Sequence, residues 1–230
     1  MTQLLVSVKN LEEAKIALAA DVDIIDLKNP VDGALGALDA EVILQIVKYV
    51  AGRKPVSATI GNLPMEHKTI TQKIQQTEKL GVDMIKVGFL NSPTAVDCIV
   101  AISQAQFKTK IVGVLFADQS PNFDLIAHFS AANFYGVMLD TQEKSTKNLF
   151  DFLPKNTIKS FVKTAKSASL FAGLAGKLSL DSFNISLNFV PNFVGVRTAV
   201  CACNVRQHTL QAEKIDFLKE LLHKNNMNQI

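Results

Sequence analysis

From end to end the chain alternates short, continuous apolar runs with amphipathic stretches, and it does so eight times. The apolar runs fall near residues 4–8, 23–28, 55–60, 84–89, 110–116, 134–139, 170–175 and 193–198. Amphipathic stretches lie between them near 11–20, 39–51, 68–80, 92–105, 121–130, 154–168 and 179–188, and one near 210–225 closes the chain. A run such as Lys-Ile-Val-Gly-Val-Leu-Phe (110–116) suits a parallel strand covered on both faces. The other stretches space their apolar residues by three and four, as in Ile215, Leu218, Leu221 and Leu222, which is the period of a helix. Turn residues punctuate the pattern, for example Gly81-Val82-Asp83 before the fourth run. No proline- or serine-rich linker divides the 230 residues. Eight β and eight α units of this size predict one (β/α)8 TIM barrel over residues 1–230. A doubly wound sheet would leave the last strand pair without a use, and no Gly-x-Gly-x-x-Gly follows the first run.

Composition excludes several function classes. The net charge of +3 is scattered, Trp is absent and Tyr numbers two, so no basic stretch interleaved with aromatics offers itself to nucleic acid. Cys98, Cys201 and Cys203, with His67, His128, His208 and His223, show no metal-ligand spacing. No signal-like apolar segment opens the chain, and no stretch reaches the roughly 20 apolar residues that span a bilayer. The expectation is a soluble, cytoplasmic protein with no membrane partner. Its oligomeric state stays open, association through the barrel's outer helices included.

Two lysines stand inside apolar runs, Lys28 in Asp-Ile-Ile-Asp-Leu-Lys-Asn-Pro and Lys86 in Met-Ile-Lys-Val-Gly-Phe. A buried ammonium is costly unless paired, and a lysine in an apolar pocket or beside another cation becomes a nucleophilic amine. Barrel active sites lie at the carboxyl ends of the strands. There the chain places Asp26 and Lys28, Lys86, Asp118 and Asp140, with Lys144 four residues beyond Asp140. Alternation along a strand puts Asp26 and Lys28 on one face, and the second, fourth and sixth strands of a barrel contribute to one layer. Lys28, Lys86 and Asp140 can therefore converge, which suits carbonyl chemistry through a Schiff base. Salt bridges that only stabilise the barrel would bring the same residues together.

The last two strands carry a second signal. The seventh ends in Ala-Gly-Leu-Ala-Gly176-Lys177 and the eighth in Val-Gly-Val-Arg197-Thr198. Barrels often bind phosphate between these loops, where small residues let backbone N–H groups approach the oxygens and Lys177, Arg197 and Thr198 add charge and hydrogen bonds.

Taken in order, these segments resemble the (5-formylfuran-3-yl)methyl phosphate synthases, or 4-(hydroxymethyl)-2-furancarboxaldehyde-phosphate synthases, of methanofuran biosynthesis. The resemblance covers nearly the whole chain. It rests on Ala-x-x-Ala-Asp-Val-Asp-Ile-Ile-Asp-Leu-Lys-Asn-Pro (17–30), Gly-Ala-Leu-Gly-Ala (33–37), Val-Ser-Ala-Thr-Ile-Gly (56–61) and Ile-Lys-Val-Gly (85–88). Met-Leu-Asp-Thr and Leu-Phe-Asp-Phe (138–152), Leu-Ala-Gly (174–176) and Val-Gly-Val-Arg (194–197) continue it. It implies a cofactor-independent lyase that serves one-carbon metabolism. Its small-molecule partner would be glyceraldehyde 3-phosphate, two molecules of which condense into a furan aldehyde with loss of phosphate and water. Lys28 would be the Schiff-base lysine and Lys86 the proton acceptor, with Asp26, Asp140 and Lys144 supporting them, and no metal or organic cofactor would be needed. Past the eighth strand the chain departs from the family's glycine-rich run: Cys201–Thr209 keeps Arg206, a further candidate for the substrate phosphate, but has no glycine. Two other readings use the same residues, a class I aldolase on another sugar phosphate and a non-catalytic phosphosugar-binding barrel.

Overall fold

The computed structural model describes residues 1–143 and 146–227. Each apolar run coincides with a strand: β1 (Gln3–Val8), β2 (Ile24–Leu27), β3 (Val56–Thr59), β4 (Met84–Phe89), β5 (Lys110–Phe116), β6 (Gly136–Asp140), β7 (Phe171–Leu174) and β8 (Phe193–Val196). The strands are parallel, pair in chain order and close β8 onto β1. The helices are α1 (Leu11–Ala19), α2 (Ala40–Val50), α3 (His67–Glu78), α4 (Ala95–Gln104), α5 (Leu125–Ala131), α6 (Leu149–Phe152), α7 (Lys155–Ser167), α8 (Leu180–Leu187) and α9 (Ala212–Met227). This is the (β/α)8 fold. Among the described residues no helix is long and apolar enough to cross a membrane.

Local chemistry sets the helix ends. Asn10 starts α1 by accepting from the Glu13 N–H at 2.9 Å, with Glu12 and Glu13 in the first turn at the positive end of the helix dipole. Helix α5 begins at Leu125, four residues after the sequence pattern expects, because Asn122 Oδ1 takes the Asp124 N–H at 3.0 Å and makes a turn first. The one-turn helix α6 has too little length for a periodic signal; a capping box between Asn148 and Asp151 makes it.

Two apolar layers form the core. The larger lies between the strands and the helices, where Ile43, Ile46 and Val50 of α2 and Ile158, Phe161 and Val162 of α7 are buried. The smaller, which includes Ile24, Met84, Val112, Val114, Met138 and Phe193, fills the barrel itself. Two residues further along their strands, Ile24, Met84 and Met138 give way to Asp26, Lys86 and Asp140. The interior thus changes from apolar to charged toward the carboxyl ends. The loop after β2 folds back over this end, so that Ala34 and Leu35 pack with the interior layer and Thr59 Oγ donates to the Gly36 carbonyl at 2.7 Å.

Strand spacing also restricts composition. A Cβ at Gly136 would lie 2.5 Å from the main-chain oxygen of Phe171 in the adjacent strand, which cannot move independently. We expect Gly136→Ala to lower stability by about 1–3 kcal/mol through overpacking, read as a reduced midpoint of urea unfolding at unchanged slope.

Candidate active site

Strand register lays out the first part of the site. Ser7 of β1 stands beside Asp26 of β2, which stands beside Ser57 of β3. Both hydroxyls donate to the carboxylate, Ser7 to Oδ2 and Ser57 to Oδ1, each at 2.7 Å. Lys86 Nζ of β4 lies 2.7 Å from the same Oδ1. Asp26 is fully buried and Lys86 is 2% exposed. Burial alone would push the Asp26 carboxyl up. The ammonium groups of Lys86 and Lys28, with hydrogen bonds from Lys86 and Ser57, outweigh it and hold the carboxyl below the usual carboxylate range.

Lys28 follows β2 immediately and is 7% exposed. Its Nζ lies 3.5 Å from Asp140 Oδ2 at the end of β6, while Asp140 Oδ1 accepts the Thr141 N–H at 2.8 Å. Burial lowers the Lys28 pKa. Asp140 and Asp26 oppose that shift, and the cations Lys86 and Arg206 reinforce it. The outcome is an amine displaced toward its neutral, nucleophilic form.

Lys28 and Asp140 open into a cavity of about 310 Å³ at the carboxyl ends of the strands. Lys177, Thr198 and Arg206 are among the residues at its rim. Lys86 is not among its lining residues and sits behind Lys28 on Asp26. A larger hollow of about 580 Å³ lies at the other end of the barrel, near Lys110, Tyr135 and Phe171, with no carboxylate among its described lining residues. The smaller cavity holds the reactive groups, and it is at the end where barrel chemistry occurs.

The cationic rim divides into groups with different tasks. Arg206 Nη2 donates to the Gly33 carbonyl at 2.9 Å across the mouth, and its Nε is buried with no hydrogen-bond partner among the described residues. Arg197 lines the cavity, but all its N–H groups have protein acceptors. Nε donates to the Arg206 carbonyl at 2.6 Å, Nη1 to Ser7 O and Glu13 Oε2 at 2.8 Å, and Nη2 to Glu13 Oε1 and His208 O at 3.1 and 3.4 Å. Gly176 stands behind the rim with φ +108°, against Thr141, and its carbonyl accepts from Leu149. Asp118 takes the N–H groups of Gln142 and Glu143 at 2.8 and 2.7 Å, fixing the start of the loop after β6. Lys144, expected in that loop, lies outside the described residues.

The structure therefore brings together Asp26, Lys28, Lys86 and Asp140, with Lys177, Thr198 and Arg206 around them. Sequence reasoning passed over Ser7, Ser57 and Glu13. A serine inside an apolar strand, level with a buried aspartate in its neighbour, is the signal that would have found the first two. Glu13 gave no signal, because it reads as an ordinary helix-start acid.

Comparison with known proteins places the chain in a family. The family model described as 4-HFC-P synthase matches residues 4–219. The chain belongs to this family. A (5-formylfuran-3-yl)methyl phosphate synthase of Methanococcus aeolicus is 34% identical over 95% of this chain and 98% of its own. The synthase of the same name from Methanopyrus kandleri is 34% identical over 86% of this chain and 89% of its own. The protein is thus an enzyme of a synthase family. Among solved structures, 3-hexulose-6-phosphate synthase from Salmonella typhimurium superposes with a TM-score of 0.66 at 18% identity, covering 96% of this chain and 99% of that one. Phosphoribosyl anthranilate isomerase from Thermus thermophilus also gives 0.66, at 14% identity over 97% and 99% of the two chains. At these identities the likeness is one of fold.

Two measurements probe the charges. Asp26→Asn leaves a buried lysine without its carboxylate and should cost about 3–5 kcal/mol at neutral pH. Because the folded-state pKa of Asp26 is lowered, its contribution is complete above the unfolded carboxylate value of about 3.9 and disappears as pH falls through the folded value. The gap between wild type and variant in urea unfolding should therefore narrow in acid. For Lys28, acylation by a limiting anhydride across a pH series should titrate below the ordinary lysine range. Asp140→Asn removes a group that raises this pKa, so it should move the titration to lower pH, and Lys86→Met should move it higher.

Proposed function

We propose that the enzyme forms (5-formylfuran-3-yl)methyl phosphate from two molecules of glyceraldehyde 3-phosphate, through an imine on Lys28. The observation that carries this reading is Lys28 itself: a nearly buried amine with a lowered pKa, lining a cavity with a carboxylate 3.5 Å away and Arg206 at the rim. Membership of the synthase family supplies the product class.

The chemistry follows from the amine. Neutral Lys28 adds to the aldehyde carbon and water leaves, giving an imine that is easily protonated and draws electrons from the adjacent carbon. A proton can then be lost from that carbon, with Asp140 placed to take or return it. The resulting enamine can expel phosphate or attack the second aldehyde. Cyclisation and dehydration complete the furan, and the sum over both trioses releases phosphate and water. Lys86 acts as proton acceptor from behind Lys28 in its neutral form, reached once it has passed its own proton to Asp26 or to a departing oxygen, and Asp26 fixes it for that role. Lys177, Thr198 and the Arg206 side chain line the cavity on the side where the retained phosphate would sit. The reaction as written consumes no oxidant or reductant and the protonated imine is its electron sink, so the proposal is a lyase that works without a metal or organic cofactor. The product would feed the furan of a methanofuran-type one-carbon carrier.

A barrel that only binds a phosphosugar would tie both lysines into ordinary ion pairs without a usable pocket. Lys86 is tied in this way, whereas Lys28 opens into the cavity. The test is borohydride trapping with glyceraldehyde 3-phosphate, followed by mass spectrometry and product analysis. Wild type should give an adduct on Lys28 and a phosphorylated furan aldehyde, and Lys28→Ala should give neither. Lys86→Gln should keep the adduct and slow turnover by about 10²–10⁴. An adduct that persists in Lys28→Ala would transfer the nucleophile to another lysine. An adduct without furan would make the enzyme an ordinary aldolase.

A further inference from the structure

Glu13 is a buried carboxylate on α1, 1% exposed; it does not line the cavity itself and reaches it through Arg197. Its partners are cations that fasten the loop after β8. Both its oxygens take Arg197, at 2.8 and 3.1 Å. Its Oε2 also accepts the Lys9 N–H at 2.9 Å, and Lys9 Nζ lies 3.8 Å from Oε1.

These two cations reach three consecutive carbonyls of one loop. Arg197 donates to Arg206 O and His208 O, and Lys9 Nζ donates to Gln207 O. The side chain of Arg206 projects from this anchored segment over the mouth to Gly33 and keeps an unpartnered, buried Nε among the described residues. The loop has no glycine between Cys201 and Thr209, so it has no run of small residues with which to wrap a phosphate in backbone N–H groups. Recognition in it falls to one side chain, whose placement then depends on how its own backbone is held.

We infer that Glu13 and Arg197 are positioning residues that set Arg206 for the substrate phosphate, and that Arg197 acts on the substrate only through Arg206. This inference rests on the reading of Arg206 as a phosphate ligand given under the proposed function. A guanidinium held by its carbonyl and by Gly33 reaches the cavity at a fixed height. Released from Glu13, Arg197 loses its fork geometry, and the Arg206 backbone loses its tie.

The experiment measures the affinity of inorganic phosphate by calorimetry, and KM and kcat with glyceraldehyde 3-phosphate, in four variants. Arg206→Gln should weaken phosphate about 10–100-fold by removing charge-assisted hydrogen bonds. Glu13→Gln should weaken it about ten-fold and raise KM more than it lowers kcat. Arg197→Lys keeps a cation for Glu13, so it should fold even if Glu13→Gln does not, yet it lacks the Nε–H that reaches Arg206 O and should show the same loss. In the double variant Arg197→Lys with Arg206→Gln, the positioning role predicts no loss beyond that of Arg206→Gln alone. Additive losses, or an unchanged phosphate affinity in Arg197→Lys, would overturn the inference and leave Arg206 as a ligand. An unchanged affinity in Arg206→Gln would overturn the phosphate reading itself and the inference with it.

Discussion

An isolated ammonium at the depth of Lys86 would cost roughly several kcal/mol, and the Asp26 carboxylate 2.7 Å away offsets that cost. Asp26 is itself held from both sides by serines of the neighbouring strands, so none of its oxygens is left without a donor. Much of the remaining site depends on this arrangement. Once Asp26 is committed to Lys86, Lys28 has among the described residues the longer ion pair to Asp140 at 3.5 Å, while burial and two nearby cations favour its neutral form. One lysine is thereby anchored and the other lines the cavity.

The second ionic cluster solves a different problem. After β8 a buried 3-10 turn (Thr198–Val200) leads into a stretch, 203–209, that is mostly exposed and has left-handed backbone at Cys203 and Asn204. Ordering such a segment costs conformational entropy. Glu13 meets that cost through Arg197 and Lys9, which hold consecutive carbonyls of the loop from below. Ser7 connects the two clusters, since its hydroxyl orients Asp26 and its carbonyl accepts from Arg197. The interior thus has two adjacent ion-pair systems, one beneath the amine and one beneath the rim.

Much of the molecule was legible before its structure. The apolar runs mark the strands because parallel strands covered on both faces must be apolar throughout. Lys28 and Lys86 stood out for the same reason, as charges in segments that otherwise exclude them. Lys177, Thr198 and Arg206 were expected near phosphate, and they meet at one rim. Arg197 was expected to face the ligand as well. Its residue type and strand-end position were the basis for that, and neither reveals that Glu13, nearly the whole chain away, takes its guanidinium. Helix α6 escaped notice because a capping box can hold a single turn that has no period.

By itself the sequence determined the class of fold, the chain's eight repeating units and the presence of two out-of-place lysines near strand ends. Those are consequences of local periodicity and of the cost of burying charge, and both can be read one segment at a time. Tertiary structure alone decided which lysine is held behind the cavity and which lines it, and which arginine is committed to Glu13. These outcomes depend on barrel register and on contacts between residues as distant as Glu13 and Arg197, where small differences in distance determine which charge belongs to which partner.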